Sequence, residues 1–192
     1  HDRTQNVGIV TKEDAINRGF SGPNLRASGV NYDLRVVKPY YYYETFDFDV
    51  ALGSTGDVYD RIMVRFEEIR QSIKIINQAM SIIPGGRYKV DNHAVSLPDK
   101  DSVYNNIEGL MNQFKLIYEG VKVPAQEYYR AIEGGNGELG FYIISDGSGT
   151  PYKVKVKPPC FNAMASYPDI IEGAMLADAI LTLGSLNIIA GE

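Results

Sequence analysis

Asp57-Val58-Tyr59-Asp60-Arg61-Ile62-Met63-Val64-Arg65-Phe66, running on without Pro or Gly to Ile82, is the stretch on which the fold turns. Val58, Ile62, Phe66, Ile69, Ile73, Ile76 and Met80 recur every three or four residues, so one side of a helix is apolar along the whole run. Arg65, Glu68 and Arg70 fall on the other side. Asp57 is placed to cap the first turn and Pro84-Gly85-Gly86 to stop the last. The spacing predicts a helix over 57–82 with its apolar stripe against a core. The Asp60-Arg61 and Glu67-Glu68…Arg70 groups could form buried ion pairs or a solvated helix face, and spacing alone favours the solvated face.

Working outward, a second helix is predicted over 102–119, with Val103, Ile107, Leu110, Phe114 and Tyr118 on one face and Gly120 beyond its end. Past Pro124 the period changes to two. Residues 128–133, 139–145 and 152–157 read as strands, with Asp146-Gly147-Ser148-Gly149 as a hairpin turn between the last two. Pro158-Pro159 ends the sheet, and a nearly all-apolar third helix is predicted over 169–183. Towards the N-terminus, Thr11 caps a short helix. From Gly19 to Gly56 the pattern is irregular, and Phe46-Asp47-Phe48-Asp49 suggests extended chain or short strands. The fold class is α+β: long amphipathic helices packed as a bundle with a small antiparallel sheet, all 192 residues forming one domain piece.

Composition narrows the function. With 19 Lys+Arg against 24 Asp+Glu the formal net charge is −5, which disfavours a nucleic-acid partner bound through a basic face. One cysteine, Cys160, excludes an internal disulfide and an all-cysteine metal site. It has no His nearby in sequence to act as a base, so a buried inert thiol is its expected role. His93 is expected at the surface. The charge-free run Ala179–Gly191 is shorter than the roughly 20 residues a membrane helix needs. No signal segment opens the chain, and its ends suggest a piece of a longer protein.

Gly135-Asn136-Gly137-Glu138-Leu139-Gly140 matches G-x-G-x-x-G, but a strand follows it where a dinucleotide site needs a helix N-terminus, so it reads as a turn. Gly53-Ser54-Thr55-Gly56 precedes the long helix without the Lys of a P-loop and reads as capping. The run Tyr40–Tyr43 suits core packing and partner contact equally. From the residues alone, no catalytic constellation emerges.

Several stretches taken together resemble the C-terminal half of one subunit family of NADH:quinone oxidoreductase, respiratory complex I. They are Gly19-Phe20-Ser21-Gly22-Pro23, Leu25-Arg26-Ala27-Ser28-Gly29, Tyr32-Asp33-Leu34-Arg35, Gly56-Asp57-Val58-Tyr59-Asp60-Arg61 and Glu67-Glu68-Ile69-Arg70-Gln71-Ser72. Phe114-Lys115-Leu116, Gly137-Glu138-Leu139-Gly140, Ser145-Asp146-Gly147, Ala177-Asp178 and Gly191-Glu192 follow in order. The family resembled is the one whose fold is similar to the nickel–iron hydrogenase large subunit, and the resemblance implies that fold here. The nickel-binding Asp-Pro-Cys-x-x-Cys of that enzyme is missing.

The same resemblance implies a subunit that binds no cofactor itself and uses quinone as substrate. Its electrons, drawn from NADH bound elsewhere, come from the terminal iron–sulfur cluster of a small neighbouring subunit, and their transfer is coupled to proton translocation. The implied location is peripheral, on the cytoplasmic side of the bacterial inner membrane or the mitochondrial matrix side. The fragment alone is expected to be inactive. The headgroup-holding His and Tyr of the family belong to the absent N-terminal half. The family's closing Asp-Ile-Val-Phe-Gly-Glu-Val-Asp-Arg borders the quinone cavity, and here it reads Asn187-Ile188-Ile189-Ala190-Gly191-Glu192. Ile189 and Ala190 are therefore expected to line the cavity, with Asn187 and Glu192 nearby. Arg26 and Arg61 are expected as interface or ion-pair residues. Cys160 stands where many members have Gly. A non-catalytic scaffold of the same fold is the alternative, and Asn187, which replaces an acid, leans that way.

Overall fold

The computed structural model describes residues 1–189. In chain order the helices are α1 (Lys12–Asn17), α2 (Gly22–Ala27), α3 (Leu34–Val37), α4 (Val58–Ile82), α5 (Lys100–Asn105), α6 (Ile107–Tyr118), α7 (Pro159–Ile171) and α8 (Leu176–Leu186). The strands β1 (Gln126–Gly134), β2 (Gly137–Ser145) and β3 (Lys153–Lys157) form one antiparallel sheet in the order β1-β2-β3. The α+β class holds. Contacts divide the chain into two compact units. The first comprises residues 1–83, 131–140 and 157–192, and the second 84–130 and 141–156.

The first unit is built on α4. Asp57 caps it as expected, its carboxylate accepting from the Asp60 amide at 2.8 Å. The Gly53–Gly56 loop is likewise a capping device: Asp60 accepts from the amides of Ser54, Thr55 and Gly56. Thr11 caps α1 through the Asp14 amide. The core gathers Val10, Ala15, Phe20, Leu25, Ala163 and Leu186, and a smaller cluster joins Ala27, Ala51 and Val64.

Four expectations change. First, beyond Val58 the apolar stripe of α4 is not its buried face: Phe66, Ile69, Ile73, Ile76 and Met80 are each more than half exposed, whereas Arg61 and Val64 are buried. At 3.6 residues per turn Arg61 lies about 140° round from Phe66. The face that packs is thus the partly charged one.

Second, the irregular stretch after Gly19 is helical at α2, every residue of which is buried. Of the two forms expected around residues 46–49 no strand appears over residues 40–49, while Phe46 is extended, at φ −93° and ψ 137°. The backbone donors of Asp47 and Asp49 go instead to the side-chain carbonyls of Gln78 and Gln71 on α4, at 2.9 and 3.1 Å. A period-two pattern thus finds its partners on a helix rather than on another strand.

Third, the 169–183 helix is two helices. Pro159 opens α7 at a first-turn position where a missing N–H costs nothing, and Gly173, at φ +76°, breaks the chain before α8. Fourth, the 102–119 helix is split at Asn106, whose side chain accepts from the Glu108 amide and caps α6 afresh.

The G-x-G-x-x-G stretch is the β1–β2 hairpin turn, as its context predicts. The connection to β3 is longer than the four-residue turn read from the sequence, spanning residues 146–152, with Asp146 accepting from the Ser148 amide at 2.9 Å. In the second unit α5 packs on α6, and Phe114 stacks on Tyr118 with ring centroids 4.3 Å apart.

The turn end of the hairpin meets α2 through two glycines. Gly22 has φ +63°, and a Cβ there would fall on the Gly137 backbone, while Ser21 Oγ accepts from the Glu138 amide at 3.0 Å. Gly22→Ala is expected to destabilise the chain by roughly 2–4 kcal/mol, from left-handed strain plus overpacking. Thermal denaturation tests this, and an unchanged midpoint would show that α2 and the hairpin do not meet here.

Candidate functional site

Two arginine centres organise the interior of the first unit, and both begin in helix register. Arg26 in the last turn of α2 is 1% exposed. Its guanidinium donates to Glu68 on α4 through Nε at 2.8 Å, and to Glu133 on β1 (2.7 Å) and the Tyr32 carbonyl (3.1 Å) through Nη1. Asp33 lies 3.5 Å away and is itself gripped by Arg35, with Nη2 to Oδ2 at 2.6 Å. Arg26 is therefore an ion-pair residue.

The two acids beside Arg26 respond oppositely. Burial pushes both carboxyls up, but at Asp33 the Arg35 fork and the Arg26 charge outweigh it and hold the group below the usual carboxylate range. Glu133 has Arg26 and the Leu34 amide but no Arg of its own, and lies beside the Asp33 charge, so burial wins and it sits above that range.

The tyrosine run separates around the same centre. Tyr40 Oη accepts from the Glu133 amide at 3.0 Å, and Tyr43 and Phe48 lie under the Arg35 guanidinium at 6.0 and 5.1 Å. Tyr41 and Tyr42 face outward.

The second centre is Arg61, also 1% exposed. Among the described residues it forms no ion pair. It donates instead to Ser185 Oγ (2.8 Å), the Gly56 carbonyl (2.8 Å) and the Gly8 carbonyl (2.9 Å). Of the two roles expected for it, ion pairing is thus replaced by carbonyl binding. Burial, and the like charge of Arg65 one turn on, pull its pKa down to about 10.

Arg65, which reads from the sequence only as part of a solvated face, donates to the Ser185 carbonyl at 2.6 Å and to Asn24 Oδ1 at 3.1 Å. The signal for it is four-residue spacing from Arg61, which puts both on one helix face.

These contacts hold the C-terminal end of α8, where the candidate site residues begin. Asn187 takes the left-handed conformation, φ 56° and ψ 54°, that ends the helix. Its Nδ2 donates to Asn136 Oδ1 at 2.7 Å in the hairpin turn. Asn136 in turn donates to the buried Cys160 Sγ at 3.6 Å, and the Ile189 amide donates to the same sulfur at 3.4 Å. The structure thus brings Asn187 and Ile189 together around Cys160, with Ile189 itself 48% exposed. Ala190 and Glu192 lie outside the described residues. His93 is exposed, as expected. Among the described residues no group of three or more His, Cys, Asp or Glu is placed to hold a metal ion. No helix among them is long and apolar enough to cross a membrane.

A family model described as "Respiratory-chain NADH dehydrogenase, 49 Kd subunit" matches residues 1–192. The chain belongs to this family. It is 56% identical over 190 residues to a C/D-type NADH-quinone oxidoreductase subunit from Bdellovibrio bacteriovorus, an alignment that covers 99% of this chain and 34% of that protein. The D-type NADH-quinone oxidoreductase subunits of Myxococcus xanthus and Flavobacterium johnsoniae are 54% and 52% identical over the whole chain, which covers 46% and 47% of them. The chain therefore spans about half the length of these D-type relatives.

Within this member of the 49 kDa family, Arg26→Met is expected to cost about 3–5 kcal/mol, because Glu68, Glu133 and Asp33 stay buried without it. A smaller loss in chemical denaturation would mean that the acids relax to solvent. The acids also predict a pH dependence. Asp33, with its folded pKa lowered, contributes stability above its unfolded value of about 3.9, and this is lost as pH falls towards the folded value. Glu133, with its folded pKa raised, contributes most at low pH and loses that contribution as pH rises through the folded value. Asp33→Asn should flatten the acid limb of the stability curve and Glu133→Gln should steepen it, read as unfolding midpoint against pH.

Proposed function

We propose that the chain forms one wall of the quinone-reduction site of an NADH:quinone oxidoreductase. Quinone takes two electrons and two protons there to become quinol, and the reduction is coupled to proton translocation. The electrons come from a cluster ligated by a neighbouring small subunit. With Cys160 as its one cysteine, this chain has no cysteine set to hold such a cluster. Its contribution is shape and an apolar surface.

The observation that carries this reading is the state of Ile189. Its backbone is tied to Cys160 while its branched side chain remains half exposed, at the position the family turns towards quinone. Such a residue has a fixed address and an open apolar face, as a hydrophobic ring requires. Asn187 sits beside it; the roles expected of Ala190 and Glu192, which lie outside the described residues, belong to the same proposal. The peripheral position, on the cytoplasmic or matrix side of the membrane, and the partnership with the cluster-bearing subunit belong to the same proposal.

The scaffold alternative leans on Asn187 having replaced an acid. The local geometry gives that residue another reason: Asn tolerates the left-handed conformation, and its amide supplies the donor that Asn136 Oδ1 accepts. An Asp could not donate there unless protonated.

The test is Ile189→Met in the intact complex, assayed as NADH-driven quinone reduction with a quinone-site inhibitor titration. A several-fold shift in quinone KM or inhibitor affinity is expected, since one side chain in an apolar pocket is worth about 1–3 kcal/mol. Unchanged values in an assembled complex would remove Ile189 from the site.

A further inference from the structure

Helix α8 ends where the proposed quinone wall begins, and its last carbonyls do not point to water. The Ser185 carbonyl accepts from Arg65 Nη1 at 2.6 Å, and the Leu186 carbonyl from Arg65 Nη2 at 3.4 Å and Asn24 Nδ2 at 3.1 Å. Arg65 Nη2 also donates to Asn24 Oδ1 at 3.1 Å, which locks the amide that shares the Leu186 carbonyl. Arg61 reaches the same turn through Ser185 Oγ, which passes a hydrogen bond on to the Thr182 carbonyl at 2.7 Å. Two cations thus meet the negative end of one helix, and Arg65 satisfies carbonyls that a helix terminus leaves unpaired.

This arrangement is not the cheapest way to fill the space. Arg65 Nε is buried with no hydrogen-bond partner among the described residues, and the neighbouring Arg61 repels it. An apolar side chain of similar volume would avoid both costs. What it would not supply is direction. A planar fork binding two successive carbonyls fixes the rotation of the last turn, and hence the point from which Asn187 leaves in its left-handed conformation. Beyond that point, the Ile189 amide must reach the Cys160 sulfur.

We propose that Arg65 is a positioning residue for quinone reduction: its guanidinium clamps the end of α8 and thereby sets where the segment starting at Asn187 presents Ile189. The proposal rests on the quinone-wall reading. Arg65 touches no substrate on this account and acts through the carbonyls of Ser185 and Leu186.

The experiment uses Arg65→Lys in the intact complex, which keeps the charge and removes the fork. Hydrogen exchange of the peptide containing residues 186–189 reads the clamp. Quinone KM and inhibitor affinity read its consequence, with the EPR spectrum of the reduced iron–sulfur clusters as the check on assembly. Faster exchange in that peptide, with quinone KM raised about tenfold and kcat less affected, is expected for a misplaced wall. If Arg65→Lys prevents assembly, Asn24→Ser, which keeps a small polar group, is expected to produce the same two changes at smaller amplitude.

Unchanged exchange overturns the clamp whatever the kinetics do. Faster exchange with unchanged quinone kinetics overturns the positioning role, and Ile189→Met then tells the two failures apart. If Ile189→Met shifts the kinetics, the wall stands and only the role of Arg65 falls. If it does not, the wall itself falls.

Discussion

The first unit depends on one guanidinium. Arg26 joins α2, the approach to α3, the middle of α4 and the C-terminal end of β1, because Tyr32, Asp33, Glu68 and Glu133 all converge on it. The apolar clusters here are small, and much of the buried volume is polar, including Asn24, Ser28, Asp57 and Thr182. Apolar packing is non-directional, so a core of this kind would tolerate α2 at several rotations. Ion pairs with 2.7–2.8 Å contacts do not. Charge in this unit therefore serves to specify arrangement more than to add stability, since a buried ion pair roughly breaks even against a hydrophobic replacement.

What the sequence made legible follows the range of each physical rule. Capping by Thr11 and Asp57 spans three residues and could be read directly. So could the hairpin, since the strand after Gly140 excluded a nucleotide loop. The helix breaks at Asn106 and Gly173 were equally local but masked by apolar periodicity on both sides. The burial of α4 could not be read. Its apolar stripe is continuous and its Arg61–Arg65–Glu68 face looks solvated, yet Arg61 is buried because Gly8, Gly56 and Ser185 supply acceptors from distant parts of the chain. No local pattern carries that information.

The exposed stripe has a physical consequence. Phe66, Ile69, Ile73 and Ile76 form a continuous apolar face that stays more than half exposed, and water contact over such a face is costly. The D-type relatives are about twice as long as this chain. A helix with one face in a polar, ion-paired interior and the other apolar and bare is suited to lie between two layers. The polar face fixes its orientation, and the apolar face supplies the burial energy once a second layer is present. That division explains why periodicity identified the helix correctly and assigned its inner face wrongly.

The same logic links the two arginine centres to the closing segment. Arg61 and Arg65 lie on the face of α4 that also carries Glu68, the partner of Arg26. One helix face therefore sets both the position of α2 and the end of α8. Asn24, on α2, closes the loop by bonding Arg65 and the Leu186 carbonyl together. A displacement of α2 thus has a mechanical route to Asn187 through two hydrogen bonds, without passing through the apolar clusters. The hairpin supplies a second route, because Ser21 before α2 holds the Glu138 amide while Asn136 holds Asn187. Both routes begin within the Gly19–Ser28 stretch and end on the closing segment. This is a physical reason for those two stretches, 160 or so residues apart in sequence, to change together or not at all.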